Sequence, residues 1–254
     1  MRKIIYSIIV CACITTSINA QTFNTTRFGI MVKAPTFTIM RSNDSDISAS
    51  GTNLGWGLGV QAEVALSQVR SIYATVGVGF LGNQGGGQQH TTGGNYWPEA
   101  RLSDPLYNQA NNPKPLPDGV VLRYHLSVLE FPIGLKFYTS DRQKRRYFAE
   151  LPIFTTNLVI RSRGDIKGTG IDVKGEFIKE EIRLINFGLG TTLGFAYDLG
   201  FSEFNMGLHL AYNFSDMIRN HGFRSVGSGP DFIRIDNNAK NSMTTIGIKL
   251  GLMF

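Results

Sequence analysis

Residues 55–66, GWGLGVQAEVAL, alternate without a break. Trp56, Leu58, Val60, Ala62, Val64 and Leu66 share one parity, and Gly57, Gly59, Gln61, Glu63 and Ala65 share the other. Successive side chains of a strand point to opposite faces, so this is a strand with one apolar face and one small or polar face. The rule recurs in 71–81, where Ile72, Ala74, Val76, Val78 and Phe80 oppose Tyr73, Thr75, Gly77 and Gly79. In 128–137, Leu129, Phe131, Ile133, Leu135 and Phe137 oppose Glu130, Pro132, Gly134 and Lys136. Segments 185–198, 203–215 and 242–254 behave alike, with Asn186, Gly188, Asn205, His209, Gly247 and Lys249 on their polar faces. Segment 28–40 changes parity near Pro35, which predicts a bulge. Segment 147–160 carries Pro152 and the polar run Thr155-Thr156-Asn157, which leaves its register open. These are eight strands, each near the roughly 9–11 residues a tilted membrane strand needs.

The connections alternate. Residues 68–70, 140–146 and 200–202 form short links, whereas 41–53, 82–120, 161–180 and 216–241 form long ones. Strict long–short alternation is the rhythm of an up-and-down barrel with short periplasmic turns, long outer loops and both termini on the periplasmic side. The fold expected is therefore all-β: an eight-stranded antiparallel up-and-down transmembrane β-barrel. Only 17% of the residues are charged and 29 are glycine. No run of about 18 apolar residues occurs after the first twenty, so a helical membrane span is not expected. A barrel needs none, because only alternate residues meet lipid.

The N-terminus reads as an address. Arg2 and Lys3 precede an apolar stretch over 4–14, and Ser17-Ile18-Asn19-Ala20 ends on a small residue. Residues 1–20 are thus expected to be a cleaved signal peptide and 21–254 the barrel domain. A rival reading takes Val10-Cys11-Ala12-Cys13 as a lipoprotein box with Cys13 lipidated. Under cleavage after Ala20 both cysteines, Cys11 and Cys13, leave with the leader, which excludes disulfides and thiol chemistry. The net charge of +6 falls to +4 without Arg2 and Lys3. It is scattered, so nucleic acid is not an expected partner, and anionic lipid headgroups are a simpler use for it.

Phe137, Tyr138, Tyr147, Phe148, Tyr197 and Phe254 sit beside short turns or the C-terminus, as a periplasmic aromatic girdle would. Glu63, Glu130, Lys136, Lys249 and His209 fall on the lumen parity. They are either a solute or proton path or a salt-bridged plug. Eight strands leave a lumen just wide enough for side chains to fill, and an unpaired buried charge is costly, which favours the plug.

The signal ending in Ala-Gln, the segment Leu129-Glu130-Phe131-Pro132-Ile133-Gly134-Leu135-Lys136 and the terminal Ile248-Lys249-Leu250-Gly251-Leu252-Met253-Phe254 resemble small outer-membrane barrels of the PorT-like type. The resemblance implies this fold and an outer-membrane location. It also implies that the terminal Phe254 strand is read by the barrel-assembly machinery. The family's namesake takes part in a secretion system, so a secretion-accessory role is implied as well.

Catalytic chemistry finds little support. His125 and Ser127 lie two apart on one face, an arrangement also used by outer-membrane lipid A deacylases, but a nucleophilic serine needs an acid to orient the histidine. Glu130 has the wrong parity for that. The glycine-rich run 82–87 precedes no helix, so it is not a phosphate loop. Asp44, Asp46, Asp165 and Asp172 lack the ligand spacing of a calcium site. No catalytic, cofactor-binding or metal residues and no cofactor are therefore assigned. The function expected is a non-enzymatic scaffold or interaction role through the outer loops, with Tyr96, Trp97 and Tyr107 of the largest loop as exposed contacts. The alternatives are a narrow solute channel and a lipid A esterase using His125 and Ser127. Expected partners are outer-membrane lipid and lipopolysaccharide, and a protein at the outer loops or at the basic turn 140–146.

Overall fold

The computed structural model describes residues 26–66, 71–107, 114–139, 144–219, 221–226 and 233–254. The expected leader, with Cys11 and Cys13, lies outside them, as do the 68–70 link and most of the 140–146 turn. The strands are β1 (Thr26–Ser42), β2 (Ile47–Ala65), β3 (Ile72–His90), β4 (Gly94–Asn95), β5 (Val121–Tyr138), β6 (Arg145–Gly168), β7 (Ile171–Phe177), β8 (Ile185–Asp198), β9 (Glu203–Asn213), β10 (Phe223–Val226), β11 (Ile233–Asp236) and β12 (Asn241–Met253). A single 3-10 turn, Lys179–Glu181, follows β7 among the described residues.

Eight of these strands close a barrel in the order β1-β2-β3-β5-β6-β8-β9-β12, with β12 returning to β1. Every pairing is antiparallel between chain neighbours, apart from the first-to-last seam. At that seam Phe28 and Phe254 exchange backbone hydrogen bonds of 3.1 and 2.7 Å. Closure leaves the barrel without a free edge strand, the arrangement that lipid requires.

The outer face is apolar. On β2 the outward residues Leu54, Trp56, Leu58, Val60 and Val64 are all exposed, and the exposed Leu66 follows them. From 54 to 66 is roughly 40 Å along a strand at about 3.3 Å per residue. At a tilt of about 40° this covers about 30 Å, the thickness of a bilayer's hydrocarbon core.

The bulge expected near Pro35 is present as a register shift between Lys33 and Thr36 against both neighbours. The lumen parity passes there from Met31 and Lys33 to Thr36 and Thr38. A second shift, between Glu150 and Ile153, flanks Pro152 and fixes the register left open for 147–160. Glu150 falls before it and Ile153, Thr155 and Asn157 after it, all facing the lumen.

The strands run further than expected. The supposed 41–53 loop is a turn over 43–46 between β1 and β2, residues 82–90 belong to β3, and most of 161–180 belongs to β6 and β7. The reason is a reversal of pattern. Along β5 the backbone alternation never slips, yet the apolar parity does. Leu122, Tyr124, Leu126 and Val128 point inward, whereas Leu129, Phe131, Ile133, Leu135 and Phe137 point outward. The same side of the strand that meets lipid below Leu129 meets water above it, at Ser127, His125 and Arg123. β2, β3, β5 and β6 thus rise beyond the belt as a conventional water-soluble wall, polar outside and apolar inside. The hairpin of β6 and β7 extends it.

Candidate functional site

The lumen is filled in three layers. At the turn end, Arg27 pairs with Glu63 at 2.5 Å and with Glu203 at 3.2 Å, and Arg146 also pairs with Glu203. Lys136 reaches Glu63 at 2.7 Å, and Lys249 reaches Glu150 at 2.7 Å. Gln61 accepts from Lys249 at 2.8 Å and donates to Glu63 and Glu150, each at 3.3 Å. Tyr73, Tyr138, Phe148 and Ala196 form an apolar floor beneath these charges. The guanidinium of Arg146 lies 4.1 Å from the Tyr138 ring centroid, and the Lys136 ammonium lies 4.4 Å from that of Phe148. Such contacts help compensate buried cations for lost water.

The middle layer holds Lys33 bonded to Glu130 at 2.5 Å, with His209 3.4 Å from the same ammonium and 3.0 Å from Thr192. Around them, Thr36, Gln84, Thr155, Asn157, Asn213 and Thr245, together with Leu81, Val128, Ala211 and Met243, line a void of about 20 Å³. A void of that size holds about one water molecule.

The outer layer is an apolar stopper. Met40, Leu81, Leu122, Leu126, Val159, Ile166, Met217 and Met243 line the mouth, and the chain between β3 and β5 folds down among them. Trp97 is 1% exposed and donates to the Tyr124 hydroxyl at 3.2 Å. Its ring occupies the space above Gly164, where an added Cβ would lie 2.3 Å from it. Two buried carboxylates hold this segment. Glu181 accepts from the Glu99 and Ala100 amides at 2.5 and 2.9 Å, and Glu176 accepts from the Ser103 amide and hydroxyl. Burial drives the Glu181 carboxyl up to about 7, against the opposing pull of the two amides.

All five lumen residues read from parity, Glu63, Glu130, Lys136, Lys249 and His209, are brought together here. The paired arrangement matches the plug rather than the open path. Their partners Lys33, Glu150, Arg27, Glu203 and Arg146 escaped the reading. Lys33 and Glu150 stand beside bulges that reverse parity, and the signal for them was Pro35 and Pro152. The aromatic assignments need correction. Tyr96, Trp97 and Tyr107 are buried in the stopper, not exposed contacts, because the inward-facing apolar wall above the belt requires a filling. Tyr138 and Phe148 face the lumen floor, so the girdle keeps only the outward Phe137, Tyr147, Tyr197 and Phe254.

His125 does have an acid. Asp165, diagonal to it on β6, lies 3.0 Å from its Nε2, and Asn83 lies 2.8 Å from its Nδ1. Both ring nitrogens are thus engaged, and among the described residues no hydrogen bond joins His125 to Ser127. The histidine is not placed to take the Ser127 proton. Asp44 and Asp46 pair with Arg224, at 3.1 Å for Asp44.

No family model and no curated protein matches the chain. The PorT-like resemblance therefore stands on its sequence segments. Among solved structures the chain is similar to Neisserial surface protein A (NspA), with 10% identity and a TM-score of 0.39 over 90% of this chain and 95% of that one. It is similar to Ail, the attachment invasion locus protein of Yersinia pestis, with 8% identity and a TM-score of 0.38 over 90% and 99%. It is also similar to the outer membrane protein OprG from Pseudomonas aeruginosa, with 13% identity and a TM-score of 0.35 over 89% and 95%.

Proposed function

We propose that the protein is an exported outer-membrane barrel that carries out no reaction of its own and serves as a scaffold or interaction surface through its outer head. One observation carries this reading: a lumen closed by ion pairs and a stopper supports a structured wall that rises past the apolar belt. A binding protein needs a rigid surface clear of the membrane, and this wall supplies one. On β7 the exposed Asp172, Lys174 and Phe177 present that surface to solvent. A secretion-accessory role is the finer form of the proposal and rests on the PorT-like segments. Recognition of the Phe254 strand by the assembly machinery, and a protein partner at the basic turn 140–146, belong to the same proposal.

The test is surface labelling of a Lys174→Cys variant in intact cells with a membrane-impermeant maleimide. Labelling before lysis supports the outward head, and labelling only after lysis overturns it. Protein export in a deletion strain decides the finer role, which normal export removes. A narrow channel is the second reading, favoured by the polar lining of Lys33, Glu130 and His209. Against it stands the size of the void, about one water molecule.

A further inference from the structure

The barrel wall has a notch at the outer edge of its belt. Below it, β6 pairs with β8 up to Leu158↔Ile185, and above it β6 pairs with β7 from Arg163↔Phe177. Between those pairs β6 has no ladder partner on that side. The segment from the 3-10 turn to Leu184 stands in for one, with the Val159 amide donating to the Leu184 carbonyl at 2.8 Å. That segment is held in turn by the 217–219 stretch: Arg183 donates its amide to Met217, and Arg219 donates its amide to Glu181. The result is a cavity of about 460 Å³ lined by Val159, Ser162, Lys179, Glu180, Arg183, Leu184 and Arg219, together with Ile182. This is within the range of small-molecule sites.

Its chemistry is that of an anion site. Three cationic side chains, Lys179, Arg183 and Arg219, converge on it with one carboxylate, the exposed Glu180. Arg183 is shared with Asp216 at 3.6 Å and with the Ile218 carbonyl at 3.2 Å. Among the described residues the side chains of Lys179 and Arg219 pair with no carboxylate. The second observation is Ser162. It lines the cavity, is 2% exposed, and its hydroxyl has no hydrogen-bond partner. A buried hydroxyl left unpaired is costly, and a ligand acceptor would satisfy it. Immediately below the cations, Leu184, Ile185 and Phe187 are exposed on the lipid face. Cations over an apolar surface, at the level where headgroups lie, match an amphiphile with an anionic head.

We propose that this notch binds the phosphate of a phosphorylated glycolipid of the outer leaflet. Lys179, Arg183 and Arg219 hold the phosphate oxygens, Ser162 donates to one of them, and the acyl chains lie along Leu184, Ile185 and Phe187. The inference rests on the outer-membrane reading above and names the lipid contact within it.

The test uses the full-length protein in non-ionic detergent and measures lipid retention by native mass spectrometry. The probes are bisphosphorylated lipid A, its dephosphorylated form, and inorganic phosphate as competitor. The Lys179→Gln/Arg219→Gln double variant removes two cations that support no described side-chain contact, and Ser162→Ala removes the hydroxyl. A heat-shift on denaturing gels reports that each barrel is folded. The expected result is retention of bisphosphorylated lipid A that weakens roughly tenfold or more in the double variant. The dephosphorylated lipid should bind wild type as weakly as the phosphorylated lipid binds the double variant. Equal retention by wild type and double variant, or of the two lipids, overturns the proposal. Displacement by inorganic phosphate at equal concentration also overturns it, in favour of a soluble anion. Failure of surface labelling at Lys174 with lipid retention intact would overturn the outward head and the outer-leaflet source of the lipid, whereas labelling with lost lipid selectivity would overturn the notch alone.

Discussion

Removing one member of the Lys33–Glu130 pair is expected to cost far more than removing both. The two groups are 2.5 Å apart, with side chains 8% and 5% exposed. At an effective dielectric near 20 their attraction is about 6–7 kcal/mol, most of it offset by the water both have lost. Lys33→Met leaves a buried carboxylate without its ammonium, beside a void of about one water. The expected loss is about 3–5 kcal/mol, and Glu130→Leu should match it for the opposite charge. The double variant Lys33→Met/Glu130→Leu leaves no orphan charge and should lie near wild type or be more stable by about 1–4 kcal/mol. Urea titrations of the barrel in lipid vesicles, followed by tryptophan fluorescence and the gel heat-shift, give all three values. Single variants that each cost less than about 1 kcal/mol, as at a solvent-exposed pair, would refute the reasoning, because the layer would then be hydrated.

Three further outcomes are expected. Gly164→Ala drives a Cβ into the Trp97 ring, so it should destabilise the stopper by about 1–3 kcal/mol and shift Trp97 emission to the red in a Trp56→Phe background. Glu181 has its carboxyl raised to about 7 when the stopper is docked, above its ordinary value, so docking is favoured below the ordinary carboxylate range and weakens as pH rises toward 7. Amide exchange of 97–107 should therefore slow as pH falls from 8 to 5 after correction for intrinsic rates, and Glu181→Gln should abolish that dependence. Ser127→Ala should leave the lipid A profile of the cells unchanged, and a deacylated species present only with Ser127 would restore the enzymatic reading.

The barrel was legible because lipid outside and a narrow lumen inside impose a two-residue period, and β2 and β12 carry it without interruption. Bulges hid half of the ion network: the parity count fails at Pro35 and Pro152, so Lys33 and Glu150 could not be assigned to the lumen beside Glu130 and Lys249. The outer head was hidden by a different cause. Where the wall leaves the membrane, the apolar side changes from outside to inside, and the apolar pattern breaks at Val128 although the strand continues. That reversal, Leu122-Tyr124-Leu126-Val128 on one parity and Leu129-Phe131-Ile133 on the other, is present in the sequence and marks the membrane boundary. The burial of Trp97 was not legible, because it depends on a cavity built from the strand extensions above the belt. The His125–Asp165 contact was missed for a related reason: Asp165 lies on a part of β6 that reads as loop.

The central claim is that the lumen is closed and the protein works through its outer head. Single-channel recording of the wild-type barrel in a planar bilayer tests it most directly. A baseline without conductance steps is expected, since ion pairs, a one-water void and the Trp97 stopper lie in series along the axis. Steady, reproducible ionic steps from the intact wild-type protein would contradict it.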